Sequence, residues 1–156
     1  MGTFLAVNLY SSTSFSFSDI ETLDNNIDQD HDHEIHLLEG NAIGNLVADD
    51  CRLIERFFNE FADADQDTIR KVLFLAETLN YPLEYAFDNY ENVNIVDQRA
   101  KDYAVEYMNE VMEVPEHLEF YIDHERFSRD MELNGEWFEL GGYADGFYTV
   151  VNSSEL

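Results

Sequence analysis

A chain of 156 residues is long enough for one domain or a few small modules, and 45% hydrophobic residues with 12 Phe and 9 Tyr exclude disorder throughout. Against that core stand 34 Asp and Glu and only 8 Lys and Arg, a formal net charge of -26. Such a chain has no basic footprint for nucleic acid, so the partners it points to are basic: a cation, or a protein surface built to hold DNA.

No apolar run approaches the ~20 residues of a membrane helix. Met1–Val7 lacks the basic flank and long apolar core of a signal peptide, and Cys51 stands alone. The expectation is a soluble protein of a reducing cytoplasm, with no membrane partner.

No Lys or Arg occurs before Arg52. Residues 3–10 alternate as a strand, and Phe15 and Phe17 at period two predict a second after a Ser-rich turn. Ser18 or Asp19 is placed to cap a short helix beginning at Ile20. Residues 32–38 read as a third strand, and 39–47, with Gly40 and Gly44, as a loop. Residues 1–47 thus form a β-rich module.

From Ala48 the period becomes helical. Leu53, Ile54, Phe57, Phe58 and Phe61 predict one helix, capped by Asp49 or Asp50. Ile69, Val72, Leu73, Ala76 and Leu79 predict a second. Pro82 opens a third through Leu83, Ala86, Phe87 and Tyr90. Residues 48–93 form a helical module.

The remainder is mixed. Val93–Val96 reads as a strand, and Asp97 as the cap of a helix running to about Val111. Ala100, Tyr103, Ala104, Tyr107, Met108 and Val111 share one face of it. Asp102, Glu106, Glu110 and Glu113 fall on the other, within an arc of roughly 80° at ~100° per residue. Pro115 restarts the chain as a short helix, with Leu118, Tyr121 and Ile122 inward and Glu116, Glu119 and Asp123 outward. Trp137–Leu140 and Phe147–Val151 predict a hairpin around Gly141, Gly142 and Gly146. The fold class is α+β, an elongated chain of three small modules (1–47, 48–93 and 94–156).

Metal and catalytic chemistry find little support. Asp63, Asp65 and Asp67 resemble the start of a calcium loop, but Thr68 stands where Gly is needed and Phe74 where a bidentate Glu is needed. These acids are expected to cap the next helix. His31, His33 and His36 are dense enough for a divalent ion, yet no third spaced ligand accompanies them, and exposed His among acids is the simpler reading. Cys51 lies beside Asp49 and Asp50, which raise a thiol pKa. With no phosphate loop, nucleophile elbow or zinc-protease motif, the expectation is no enzyme and no cofactor.

The acids themselves remain. Acids and bases number 8 and 0, 11 and 4, and 15 and 4 over residues 1–47, 48–93 and 94–156. B-DNA carries one charge per ~1.7 Å of axis, so this net charge matches roughly 44 Å of duplex, about 13 base pairs. A two-fold dimer would match roughly 26 base pairs. The expected partner-binding carboxylates are Asp102, Glu106, Glu110, Glu113, Glu116, Glu119, Asp123, Glu125, Asp130 and Glu132. A solvated acidic surface is the competing reading.

Val114-Pro115-Glu116-His117-Leu118, followed by Tyr121-Ile122-Asp123-His124-Glu125-Arg126-Phe127-Ser128-Arg129-Asp130-Met131-Glu132-Leu133, resembles the C-terminal motif of the ArdA antirestriction family. That family shows V-P-x-x-L and then Y-[IF]-D-[YH]-x-x-[FY]-[GS]-R-D-[LM]-x-L. The resemblance spans about residues 95–151. It implies a homodimer that imitates bent B-DNA and occupies the DNA-binding groove of type I restriction-modification enzymes, through the methyltransferase core and specificity subunit. Val114, Pro115, Leu118, Tyr121, Ile122 and Phe127 would then join the two copies, with Arg126 and Arg129 as internal ion partners. The departure is at the front, where Val7-Asn8-Leu9-Tyr10-Ser11-Ser12-Thr13-Ser14-Phe15 keeps the family's strand but loses its glycines, Trp and Pro. An acidic module for another basic partner, such as a different defence complex or a nucleoid protein, is the alternative.

Overall fold

Extended segments with Phe at alternate or near-alternate positions and aliphatic neighbours build the first sheet. The computed structural model describes residues 2–143 and 146–156. In β1 (Thr3–Asn8) Phe4, Ala6 and Asn8 point inward. β1 pairs antiparallel with β2 (Ser14–Phe17) on one side and β3 (His33–Glu39) on the other, giving the order β2-β1-β3. Between β2 and β3 lies α1 (Ile20–Asn26), where the Asp19 carboxylate accepts from the Thr22 N–H at 2.7 Å.

Residues 42–49, expected as loop, are helical. α2 (Ala42–Asp49) begins at Asn41, whose side-chain oxygen accepts from Ile43 N–H at 3.0 Å, and it buries Ile43, Gly44 and Val47. Gly44 serves close packing, not a turn: a Cβ there would meet Leu37 Cδ1 of β3 at 2.9 Å. A 3-10 turn (Cys51–Leu53) then leads into α3 (Ile54–Arg56), prolonged by a π-helical turn over Phe57–Phe61. α4 (Gln66–Leu73) ends in a similar turn over Phe74–Thr78, and α5 (Leu83–Asn89) follows Pro82. These three helices lie where expected, but neither expected cap serves the first: Asp49 ends α2, and the Asp50 carboxylate makes no cap bond and accepts from the Arg52 side chain.

Met1–Tyr90 forms one compact unit, so the segments expected as β-rich and helical modules share a core. Phe4 stacks on Phe17 at 5.5 Å and meets Phe57 and Phe58 edge-on at 5.6 Å each. Deeper among the helices, Phe61 stacks on Phe87 at 4.2 Å. Each such pair contributes ~0.5–1.5 kcal/mol beyond its area burial.

Glu91–Leu156 forms the second unit. Its sheet has the order β4-β6-β5, from β4 (Ile95–Val96), β5 (Phe138–Tyr143) and β6 (Gly146–Val150), all antiparallel. The expected hairpin is present, with its tip at 144–145 outside the described residues. α6 (Ala100–Val111) lays Ala100, Ala104 and Met108 against the core. Asp97 does not cap it. The α6 cap comes from across the fold, where the Glu139 carboxylate of β5 accepts from Ala100 N–H at 3.0 Å. A 3-10 helix spans Glu116–Tyr121, and α7 (His124–Leu133) starts at Asp123, whose carboxylate accepts from Arg126 N–H at 3.0 Å. Trp137 is the centre of this core, with Tyr103, Tyr107 and Phe127 edge-on to it at 4.9, 5.5 and 5.8 Å. The architecture is α+β.

Candidate partner-binding surface

Carboxylates repel, and a helix can carry a row of them only where solvent screens the row and the opposite face is held by packing. α6 meets both conditions. Asp102, Glu106 and Glu110 recur every four residues and are all exposed, while the alanines and Met108 anchor the far side. Among the described residues none of the three has a cationic partner within ion-pair distance. Their field reaches inward: burial, Tyr107, Glu110 and Glu106 together push the Tyr103 phenol above its ordinary pKa.

Glu113 departs from the expected stripe. α6 ends at Val111, and Glu113 sits in the left-handed region with φ of 45°, so it belongs to the turn that precedes Pro115. It is nonetheless exposed.

The other nominated acids divide by what already holds them. Glu116, Glu119 and Asp130 are exposed without an ion pair among the described residues. Asp123 is exposed but spends one oxygen capping α7. Glu125 pairs with Lys101 at 3.1 Å. Glu132 is half-buried, and burial followed by the neighbouring Glu139 raises its pKa.

The expected inward turn of Leu118 and Tyr121 is not observed. The segment is a 3-10 helix, in which residues three apart eclipse, and it buries nothing. Leu118 and Tyr121 share one row and Glu116 and Glu119 another, while Phe120 is 97% exposed and Tyr121 84%. Val114 and Ile122 are half-buried and Pro115 exposed. Phe127 uses its ring inside the unit, 6.2 Å from Tyr107 and 5.8 Å from Trp137.

The expectation for Arg126 and Arg129 as internal ion partners is overturned. Both are exposed, and among the described residues neither is ion-paired. Of the acids near them on α7, Glu125 is taken by Lys101 and Asp123 by its own backbone cap, while Asp130 makes no ion pair with either.

Sequence reasoning nominated no carboxylate in the first unit, yet Met1–Tyr90 holds 18 acids against 4 bases, and Glu91–Leu156 holds 16 against 4. The bases of the first unit are mostly consumed locally: Arg52 by Asp50 at 3.0 Å, Arg56 by Glu60 and Asp88 at 2.7 Å each, Lys71 by Asp67 at 3.0 Å. Glu21, Asp24, Glu39, Asp49, Glu55 and Glu84 stay exposed. The long opening stretch without Lys or Arg was the available signal for Glu21, Asp24, Glu39 and Asp49.

The metal and thiol readings end in local structure. Asp65 caps α4, accepting from Thr68 N–H at 2.8 Å, as expected of the Asp63–Asp67 run. His31 bonds Asp28 at 2.7 Å and stacks on Tyr10 at 4.3 Å. His33 alone of the trio is half-buried on β3, and among the described residues no group of three His, Cys, Asp or Glu is arranged to hold a metal ion. Burial, then Asp50 and Asp49, pushes the Cys51 thiol up, away from nucleophilic chemistry. No described helix is long and apolar enough to cross a membrane.

No curated protein matches the chain. The family described as antirestriction protein (ArdA) matches residues 8–145, reaching well beyond the C-terminal motif to include both units.

Proposed function

The chain belongs to the ArdA antirestriction family, and on that premise we propose that it inhibits restriction without catalysing a reaction, by presenting surface carboxylates in place of DNA phosphates. The observation that carries this reading is the exposed, uncompensated row Asp102, Glu106 and Glu110 on a helix whose other face buries Ala100, Ala104 and Met108. Side chains four apart on a helix have Cβ atoms ~5–6 Å apart, a closely spaced line of charge that can stand for a DNA strand with one phosphate per ~3.4 Å of axis. A groove evolved to neutralise phosphates would attract such a row from a distance and hold it by many weak contacts.

The proposed target is a type I restriction-modification enzyme, met through its methyltransferase core and specificity subunit. The proposed active species is a homodimer in the bacterial cytoplasm. Exposed Leu118, Phe120 and Tyr121, three large apolar groups in one short helix, support the dimer, since a monomeric surface rarely leaves such groups clustered in water. Purified protein added to such an enzyme at low salt should block cleavage of site-bearing duplex, and the block should weaken steeply as salt rises. Unchanged cleavage at molar excess would sink the reading for that target. A pull-down returning a reproducible basic protein but no restriction subunit would favour a different DNA-binding partner.

A further inference from the structure

The inward face of β3 is not fully covered. His33, Ile35 and Leu37 turn toward the helices, while the alternate residues Glu34, His36 and Leu38 are exposed. Leu37 is met by α2 at Gly44. Farther along, between β3, the end of α1 and the start of α3, the first unit keeps a cavity of about 350 Å³. Leu23, Ile27 and Ile35 wall it and are only half-buried, and the buried Ile54 is its floor. Concave space walled by aliphatic groups, with a few polar groups at its edge, has the form of a ligand site.

Two free acceptors lie at that edge. Asp28, Asp32 and His33 all line the cavity. Asp28 is committed: its carboxylate accepts from Asn8 at 3.2 Å and from the Asp30 N–H at 3.0 Å, and it meets His31 at 2.7 Å. Asp32 is exposed, and among the described residues its carboxylate has no hydrogen bond or ion pair. His33 donates from Nδ1 to the His31 carbonyl at 3.1 Å, so Nε2 of the neutral ring is left as an acceptor, without a partner among the described residues. No cation of this unit serves them, since no Lys or Arg precedes Arg52 and Arg52 is held by Asp50.

A guest that suits both parts has an apolar stem and a cationic head with several donors, which describes an arginine side chain. We infer that this cavity receives one arginine side chain of the protein's basic partner. Its methylenes lie between Leu23, Ile27 and Ile35, and its guanidinium donates to the Asp32 carboxylate and to His33 Nε2. Charge selects this guest. An anion would meet Asp28, Asp32 and the field of a net charge of -26, and a second copy of this chain would bring that same charge to the contact. A phosphate of DNA has no apolar walls to offer an arginine stem. The cavity therefore gives this protein an attachment to its partner that a duplex lacks.

This rests on the reading above only in taking the partner to be a basic protein. The test uses a capped arginine, Nα-acetyl-arginine amide, titrated into the full chain and followed by NMR. The methyl signals of Ile27, Ile35 and Ile54 should shift along a saturable curve, with a dissociation constant in the millimolar range expected of a single side chain. Nα-acetyl-citrulline amide has the same shape without the charge and should bind about ten-fold more weakly. Asp32→Asn, which removes a charge that holds nothing in the fold, should weaken the arginine probe about five-fold. No saturable shift at these methyls up to about 50 mM probe, equal binding of the citrulline compound, or a folded D32N protein that binds like wild type would each overturn the inference. If D32N does not fold, the comparison of the two probes on wild type decides alone. Inhibition of a restriction enzyme is measured separately: probe binding with no inhibition would fault the target alone, and inhibition without probe binding would fault this cavity alone.

Discussion

The two units spend their aromatic residues in opposite ways. The first hides Phe4, Phe17, Phe57, Phe61, Phe74 and Phe87 almost completely. The second builds its core on Trp137, with Tyr103, Tyr107 and Phe127 edge-on to it and Met108 and Leu140 buried, and leaves Phe120 and Tyr121 in water. Both carry similar excesses of acid, so charge does not explain the difference. What differs is where the exposed groups lie: the first unit exposes Leu9, Tyr10, Leu38 and Tyr85 but no Phe, whereas the second gathers Leu118, Phe120 and Tyr121 in one short helix.

The sharpest way to break that contrast is truncation of one ring in each unit. Phe57→Ala should cost about 3–5 kcal/mol of unfolding free energy in urea titration, because a fully buried ring leaves a cavity. Phe120→Ala should change the same measurement by less than ~0.5 kcal/mol at concentrations where the protein is monomeric. Equal losses would erase the distinction.

Next in size is the acidic row. Neutralising Asp102, Glu106, Glu110 and Glu113 together to their amides should weaken binding to a restriction enzyme by about 30-fold at low salt, taking ~0.5 kcal/mol per exposed charge. Thermal melting should not fall, since these groups repel one another. Reversal of Glu110 alone should cost only a few-fold. Complete loss from that one change would point to a localised site in place of a distributed surface.

A cap in the first unit gives a smaller, pH-dependent effect. Asp65→Ala should destabilise by about 1 kcal/mol at neutral pH. The backbone and side chain of Thr68 hold the Asp65 carboxyl below its ordinary value of 3.8. A depressed folded pKa means the contribution is full above the unfolded value and is lost as pH falls through the folded one. The gap between wild type and variant should therefore close below about pH 3.8 in acid-dependent melting. The smallest effect is expected at the left-handed Glu113. Glu113→Gly should stabilise the second unit by ~0.5 kcal/mol, relief of strain outweighing the added freedom of the unfolded chain.

Much of the first unit was legible because its signals are local. Phe4, Ala6, Phe15 and Phe17 announce strands by period two, and Asp19 and Asp65 announce helix starts. α2 escaped because Gly44 reads as a loop residue, while its reason lies in Leu37 of a different element. In the second unit the α6 cap escaped for a similar cause, Glu139 being 39 residues from Ala100. The 116–121 segment was assigned an inward face by assuming 3.6 residues per turn. At three per turn the same residues form rows that bury nothing. Exposure of Arg126 and Arg129 followed from the commitments of other groups, which no spacing rule reveals. The motif of residues 114–133 identified the family, and its acids other than the half-buried Glu132 are exposed. What separates a charge-carrying acid from a structural one, as Glu116 from Asp123 or Glu125, emerges only from the hydrogen bonds each makes.

The central claim is that this chain competes with DNA for a groove built to bind phosphates. Its most direct test measures displacement of a labelled, site-bearing duplex from a type I restriction-modification enzyme as the protein is titrated, at two salt concentrations. The account predicts full displacement at low salt, with an apparent affinity that falls steeply as salt rises. Duplex that stays bound at molar excess of the protein, or displacement indifferent to salt, would contradict it.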